Sequence, residues 1–98
     1  ERLVVAGFDT RSRLRAFAEA TGGPTSVGGL LRLARHTLAD GDVSILVVGH
    51  NHPSGIAVPS IADRDATRRI AALCRLAGVR MAGHLLFADT QCVLFGRS

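Results

Sequence analysis

Apolar positions along this chain change period several times, and each change marks an element. Leu3 to Phe8 is a strand-like apolar run, Asp9-Thr10-Arg11-Ser12 carries turn chemistry, and Leu14-Arg15-Ala16-Phe17-Ala18-Glu19 alternates as a return strand. Thr21-Gly22-Gly23-Pro24-Thr25-Ser26 breaks the alternation. Val27, Leu30, Leu31, Ala34 and Leu38 then recur at helical spacing, which predicts a helix from Val27 to Ala39 stopped by Asp40-Gly41. Ser44 to Gly49 is continuously apolar, the mark of a strand buried on both faces at the centre of a sheet. Ala62, Ala66, Ile70, Leu73 and Ala77 form the apolar stripe of a second helix, with Gly78 as its stop. Arg80 to Phe87 reads as a strand, Asp89-Thr90 as a turn and Cys92 to Phe95 as a short last strand. The order ββαβαββ implies an α/β fold with a mixed sheet flanked by helices.

Composition narrows the class. Ninety-eight residues, 47% of them hydrophobic, suit one domain with one core. No apolar run reaches the roughly 18 residues of a membrane span, and no basic-then-apolar leader opens the chain, so a soluble, cytoplasmic protein without a membrane partner is expected. Opening at Glu1 rather than Met points to a fragment from the C-terminal part of a longer protein. Cys74 and Cys92 are the only cysteines and form no Cys-x-x-Cys pair; both are expected as small apolar core residues, without a disulfide framework. All twelve basic residues are Arg, which excludes lysine Schiff bases and a phosphate-loop lysine. Arg64, Arg68 and Arg75 fall on one helix face, and Arg11, Arg13 and Arg15 alternate along a turn and strand. Such a surface could meet nucleic acid weakly and without sequence preference. With no Tyr or Trp to stack on bases, solvated basic faces are the better reading.

The chemistry concentrates between residues 50 and 63. His50 and His52 are two apart just beyond the central apolar run, so a continuing strand presents both imidazoles on one face. Ser60 and Asp63 follow a Pro-bounded loop and open the second helical pattern. Ser-x-x-Asp at a helix start is also a capping box, in which hydroxyl and carboxylate satisfy open backbone N–H groups. Taken with the two histidines, the spacing points instead to a metal site, and Ser60 can serve both purposes. Two His and one carboxylate leave a fourth position for water, the layout of a catalytic zinc.

The run His50-Asn51-His52-Pro53-Ser54-Gly55 followed by Pro59-Ser60 and Asp63 resembles the signature of the JAMM (MPN+) metalloproteases, in its RadC-like branch. The resemblance covers almost the whole chain. Glu1 to Asp9 is similar to the family's first strand, Asp63 to Ile70 to its helix, and Leu76-Ala77-Gly78-Val79 to the passage into the next strand. Two positions depart from it: Ile56 stands where an acidic residue is usual, and Gly83 precedes His84 where an Asp is usual. The resemblance implies a three-layer α/β/α JAB/MPN-like (cytidine-deaminase-like) domain spanning residues 1–98, and a zinc-dependent hydrolase of peptide or isopeptide bonds in protein substrates. It implies His50, His52 and Asp63 as Zn²⁺ ligands, Glu1 as the base acting on water, and Ser60 as the stabiliser of the oxyanion. His84, a lone histidine, reads first as a structural residue; its match to a late histidine of the family leaves a place beside the ligands as the alternative, and it is kept out of the ligand set. His36 is expected to be structural, near the C-terminus of the first helix, where the dipole favours a cation. Glu19 is expected to face solvent. Other classes fit less well: a zinc deaminase needs His-x-Glu and Pro-Cys-x-x-Cys, both absent. A nucleic-acid module with a structural metal would rest on the Arg stripes, and a silent scaffold would be expected to have lost a motif residue.

Overall fold

A computed structural model describes residues 1–22 and 27–96. The chain runs β1 (Arg2–Phe8), β2 (Leu14–Thr21), α1 (Val27–Leu38), β3 (Ile45–Asn51), α2 (Ile61–Ala77), β4 (Arg80–Ala88) and β5 (Gln91–Phe95). The expected element order is met throughout. The loop expected at Thr21–Ser26 lies partly outside the described residues.

The five strands lie in the order β2-β1-β3-β4-β5. β1 is antiparallel to β2 and β3, β3 and β4 are parallel across the α2 crossover, and β4 and β5 are antiparallel. β3 is central, as its unbroken apolar run predicts. Its burial is one-sided, however: Leu46, Val48 and His50 are buried, whereas Ile45 and Val47 on the opposite face are half-buried.

That asymmetry has a cause in the helices. Leu30 and Ala34 of α1 and Ala66, Ile70 and Cys74 of α2 join one core with Leu3, Val5, Leu46, Val48 and Met81. Both helices therefore cover the same sheet face, and the described residues form two layers. The α/β class and mixed sheet are as expected; the second helical layer of an α/β/α sandwich is not supplied by α1 or α2. On the open face Val4, Ala6, Val47 and Leu85 are half-buried, while Phe17, Phe87 and Leu94 are exposed.

Two further expectations are corrected. The buried stripe of α2 is Ala66, Thr67, Ile70, Ala71 and Cys74, so it is rotated away from Ala62 and Ala77, which face solvent. Cys74 is a core residue, but Cys92 is exposed, since β5 is an edge strand and Cys92 pairs with Phe87 on the open face. α2 is bounded as its sequence predicts. Ser60 caps its start, and Gly78, at φ 71°, ends it in the left-handed conformation, with its N–H reaching Arg75 O and the Val79 N–H reaching Cys74 O.

A single irregularity in β4 decides where His84 points. Leu46 pairs with Met81 but Val47 pairs with Gly83, so β4 carries an extra residue at this point. Gly83 has φ +152°, and a Cβ there would lie 2.5 Å from Leu94 Cδ1. A β-bulge that only glycine tolerates shifts the strand's alternation, and His84 turns into the core instead of residue 83.

Candidate metal centre

Three chain segments meet at the C-terminal end of β3. The strand delivers His50, the following loop delivers His52, and the first turn of α2 delivers Ser60 and Asp63. β1 starts at this same end because it is antiparallel to β3. The pairing of Leu3 with His50 carries Glu1 to the level of His52. Glu1 is anchored there: its backbone exchanges hydrogen bonds with Gly22, the Gly22 N–H donating to Glu1 O at 2.8 Å and the Glu1 backbone nitrogen donating to Gly22 O at 2.9 Å. The next residue adds a clamp, with the Arg2 N–H donating to Asn51 Oδ1 at 2.6 Å. Glu1, His52, Pro53, Ser54, Ser60 and Asp63 line a cavity of about 360 Å³.

His50 Nε2 lies 3.0 Å from His52 Nε2 and 3.2 Å from Asp63 Oδ1. His52 Nε2 lies 3.0 Å from Asp63 Oδ2. One potential ligand atom from each of the three residues falls within 4.8 Å of the others. Zinc–nitrogen bonds of about 2.0–2.1 Å would put tetrahedral neighbours roughly 3.3 Å apart, so the spacing suits such an ion.

The capping box and the metal-ligand arrangement turn out to share atoms. Ser60 Oγ accepts the Asp63 N–H at 3.0 Å, and Asp63 Oδ2 accepts the Ser60 N–H at 2.8 Å. Asp63 is thus a helix cap and, through the same carboxylate, a neighbour of both imidazoles. Burial raises its carboxyl pKa, but the Ser60 N–H and the two histidines outweigh this and hold it below the ordinary 3.8.

Hydrogen accounting shows what the cluster lacks. His52 Nδ1 lies 3.0 Å from Ile56 O. A carbonyl can only accept, so Nδ1 carries a hydrogen, and a ring with that one hydrogen has its lone pair on Nε2. That lone pair faces an acceptor-only carboxylate. Burial also holds His50 below its ordinary 6.5 and so favours the neutral ring, against the opposing pull of Asp63. A shared positive charge among these acceptors resolves the conflict, and a divalent cation can meet all three at once.

His84 is fully buried behind His50. Its Nε2 is 2.6 Å from His50 Nδ1 and its Nδ1 is 2.7 Å from Thr67 Oγ1. Burial pushes its pKa down to about 4. Thr67 and the Ile56 carbonyl are the site members that sequence reasoning misses. A lone Thr on an apolar helix face was the available signal for the first, and a backbone oxygen has none. Glu19 is exposed and pairs with Arg2 at 2.7 Å, and His36 is exposed on α1. The Arg face of α2 is partly engaged: Arg64 lies 5.7 Å over the Phe95 ring, and Asp65 pairs with Arg68 at 3.7 Å and with Arg69 at 2.9 Å.

An α/β domain that brings two imidazoles and a carboxylate together, with His52 and Asp63 lining an accessible cavity, has the donor set of an open metal site. The chain belongs to the RadC-like JAB domain family, whose model matches residues 1–98. A UPF0758 protein of Saccharophagus degradans is 32% identical over 89 residues, 90% of this chain and 40% of that relative. A UPF0758 protein of Photorhabdus laumondii is 41% identical over 54 residues, 55% of this chain and 24% of the relative. Another, from Aliivibrio fischeri, is 39% identical over 56 residues, covering 57% and 25%. The chain thus spans between 24% and 40% of the length of these relatives. Among the described residues no helix is long and apolar enough to cross a membrane.

Proposed function

We propose that this domain is a zinc-dependent hydrolase that cleaves peptide or isopeptide bonds. The observation that carries the reading is the confrontation of His52 Nε2 with Asp63 Oδ2 at 3.0 Å, with His50 Nε2 beside both. His50, His52 and Asp63 would hold the ion. Zinc bound there would supply Lewis acidity, lowering the pKa of water toward neutrality and polarising a carbonyl.

The protein's own groups then divide the proton work. Glu1, on the wall of the same cavity, takes the proton of the attacking water and returns it to the leaving amine. Ser60 donates to the carbonyl oxygen as that oxygen gains charge. Its Oγ already accepts the Asp63 N–H, which orients the hydroxyl while leaving its hydrogen available. Exposed Ile56, Val58 and Ile61, on the segments that carry His52 and Ser60, favour a polypeptide substrate over a small polar one. Nucleic-acid affinity, if present, would be carried by the exposed arginines of α2, fall steeply with salt and ignore sequence.

Glu1→Gln separates the two halves of the proposal. Zinc content, read by metal analysis after dialysis, should stay near one equivalent, while hydrolysis of peptide and isopeptide-linked substrates should fall by about 10²–10⁴-fold. Zinc lost from this variant would make Glu1 a ligand, and undiminished hydrolysis would remove it from the reaction.

A further inference from the structure

Thr67, Gly83 and His84 have no part in the proposed hydrolysis, yet together they reach His50. Their contacts form a chain whose direction is set at its far end, where the Asp63 carbonyl oxygen can only accept. Thr67 Oγ1 is 2.7 Å from the Asp63 carbonyl oxygen, so the hydroxyl hydrogen is donated there. The same Oγ1 is 2.7 Å from His84 Nδ1, so here it accepts and Nδ1 carries the hydrogen. A neutral imidazole has one N–H, which leaves a lone pair on His84 Nε2. That atom is 2.6 Å from His50 Nδ1. His50 therefore donates from Nδ1 and keeps a bare lone pair on Nε2, the atom that faces His52 and Asp63.

We propose that Thr67 and His84 are a positioning pair that decides which nitrogen of His50 carries hydrogen, and so keeps His50 Nε2 ready to bind a divalent cation. The inference rests on reading His50 as a metal ligand. The reverse chain would have Thr67 donate to His84 and His84 donate to His50. It would withdraw the hydroxyl hydrogen from Asp63 O and put a hydrogen on His50 Nε2, where it blocks the ligand atom. The surroundings hold the pair in place. Phe95 stacks on His84 with ring centroids 4.6 Å apart and 21° between planes. Gly96 closes over Thr67 so tightly that a Cβ there would collide with Thr67 Cγ2. The Gly83 bulge is the third part of the device, because it is what turns His84 inward.

The test needs no variant to begin with. In the metal-free protein at neutral pH, ¹⁵N NMR of the imidazoles should show both His50 and His84 protonated at Nδ1. Zinc affinity, measured by chelator competition, should then fall about 10–100-fold in Thr67→Val, with the His50 hydrogen moved to Nε2. Thr67→Ser keeps the hydroxyl and should stay within a few-fold of wild type in both readouts. His84→Gln, whose Oε1 still accepts from His50, should bind zinc better than His84→Leu. Wild-type His50 protonated at Nε2, or Thr67→Val affinity within twofold of wild type, overturns the proposal. A wild-type protein that binds no zinc overturns the metal reading itself, and the NMR result still judges the pair separately.

Discussion

Two polar clusters of similar size sit at opposite ends of the sheet. The cavity lined by Asp9, Arg11, Arg13, Arg15, Asp42 and Ser44, among others, holds about 380 Å³, and the one at the histidines about 360 Å³. At the first, donors meet acceptors. Arg13 pairs with Asp9 at 3.4 Å and Arg15 with Asp42 at 2.9 Å, while Asp9 Oδ1 also takes the N–H groups of Arg11 and Arg13. At the second, imidazole lone pairs and a carboxylate face one another without enough hydrogens to go round. Cavity volume does not distinguish the ends; the balance of donors and acceptors does. In one cluster each carboxylate has its arginine; in the other a cation would make up the deficit.

The sharpest way to break that contrast is Asp63→Asn, which keeps shape and a capping oxygen but removes the charge. With zinc present at 1,000 times its Kd, wild-type protein should gain about 4 kcal/mol from binding, and the variant should lose most of this. With chelator present, the same substitution should cost only a few tenths to about 1 kcal/mol, through the weakened cap. Equal destabilisation in both conditions, measured by urea unfolding, would reduce Asp63 to a helix cap.

A pH series on metal-free protein comes next. His84 titrates near 4 in the fold against an ordinary 6.5, so between these values the unfolded chain binds a proton that the folded chain refuses. Stability is then complete above pH 6.5 and declines as pH falls toward 4, by up to roughly 3 kcal/mol. His50, lowered in the same direction, adds to the decline. Asp9 behaves differently. Arg13 and Arg11 hold its carboxyl below 3.8, outweighing burial, so its contribution is present above that value and is lost only as pH falls further. Asp63 shares this lower window. A urea midpoint flat from pH 6.5 to 4 would show that the buried histidines are not held neutral.

Gly83→Ala should cost about 1–3 kcal/mol, through its positive φ and the contact with Leu94. Arg15→Ala at the opposite end should cost about 0.5 kcal/mol or less, because its pair with Asp42 is solvent-exposed. A larger loss for Arg15→Ala than for Gly83→Ala would reverse the ranking of the two ends.

Legibility in the sequence depends on how close together the information lies. The order of elements was legible because strand and helix periods differ, and the continuous run from Ile45 to Val48 marked the central strand. His50, His52, Ser60 and Asp63 were legible as a group because a strand end, one loop and a helix start bring them together within a short stretch. The link from Thr67 to His84 was not, since it joins residues 17 apart and depends on a bulge that shifts alternation by one position. Counting alternation along β4 without the bulge turns the wrong residue inward. The tilt of the α2 stripe toward Thr67 and Cys74, the exposure of Cys92 and the placement of both helices on one face depend on which neighbours each element meets. Periodicity within a segment carries none of these.

Because Asp63 Oδ2 accepts the Ser60 N–H while facing His52, the first turn of α2 and the candidate ion site share one carboxylate. An ion drawing on that oxygen competes with the helix's own bond, and it also pins the side chain that makes the bond. The amide of Ser60 therefore acts as a reporter: its exchange rate with solvent deuterium should respond to occupancy of the site, while Ile70 and Cys74, deep in the same helix, keep the rate set by global unfolding. Helix fraying, ordinarily noise at a chain's edge, becomes at this position a gauge of how strongly the ion is held.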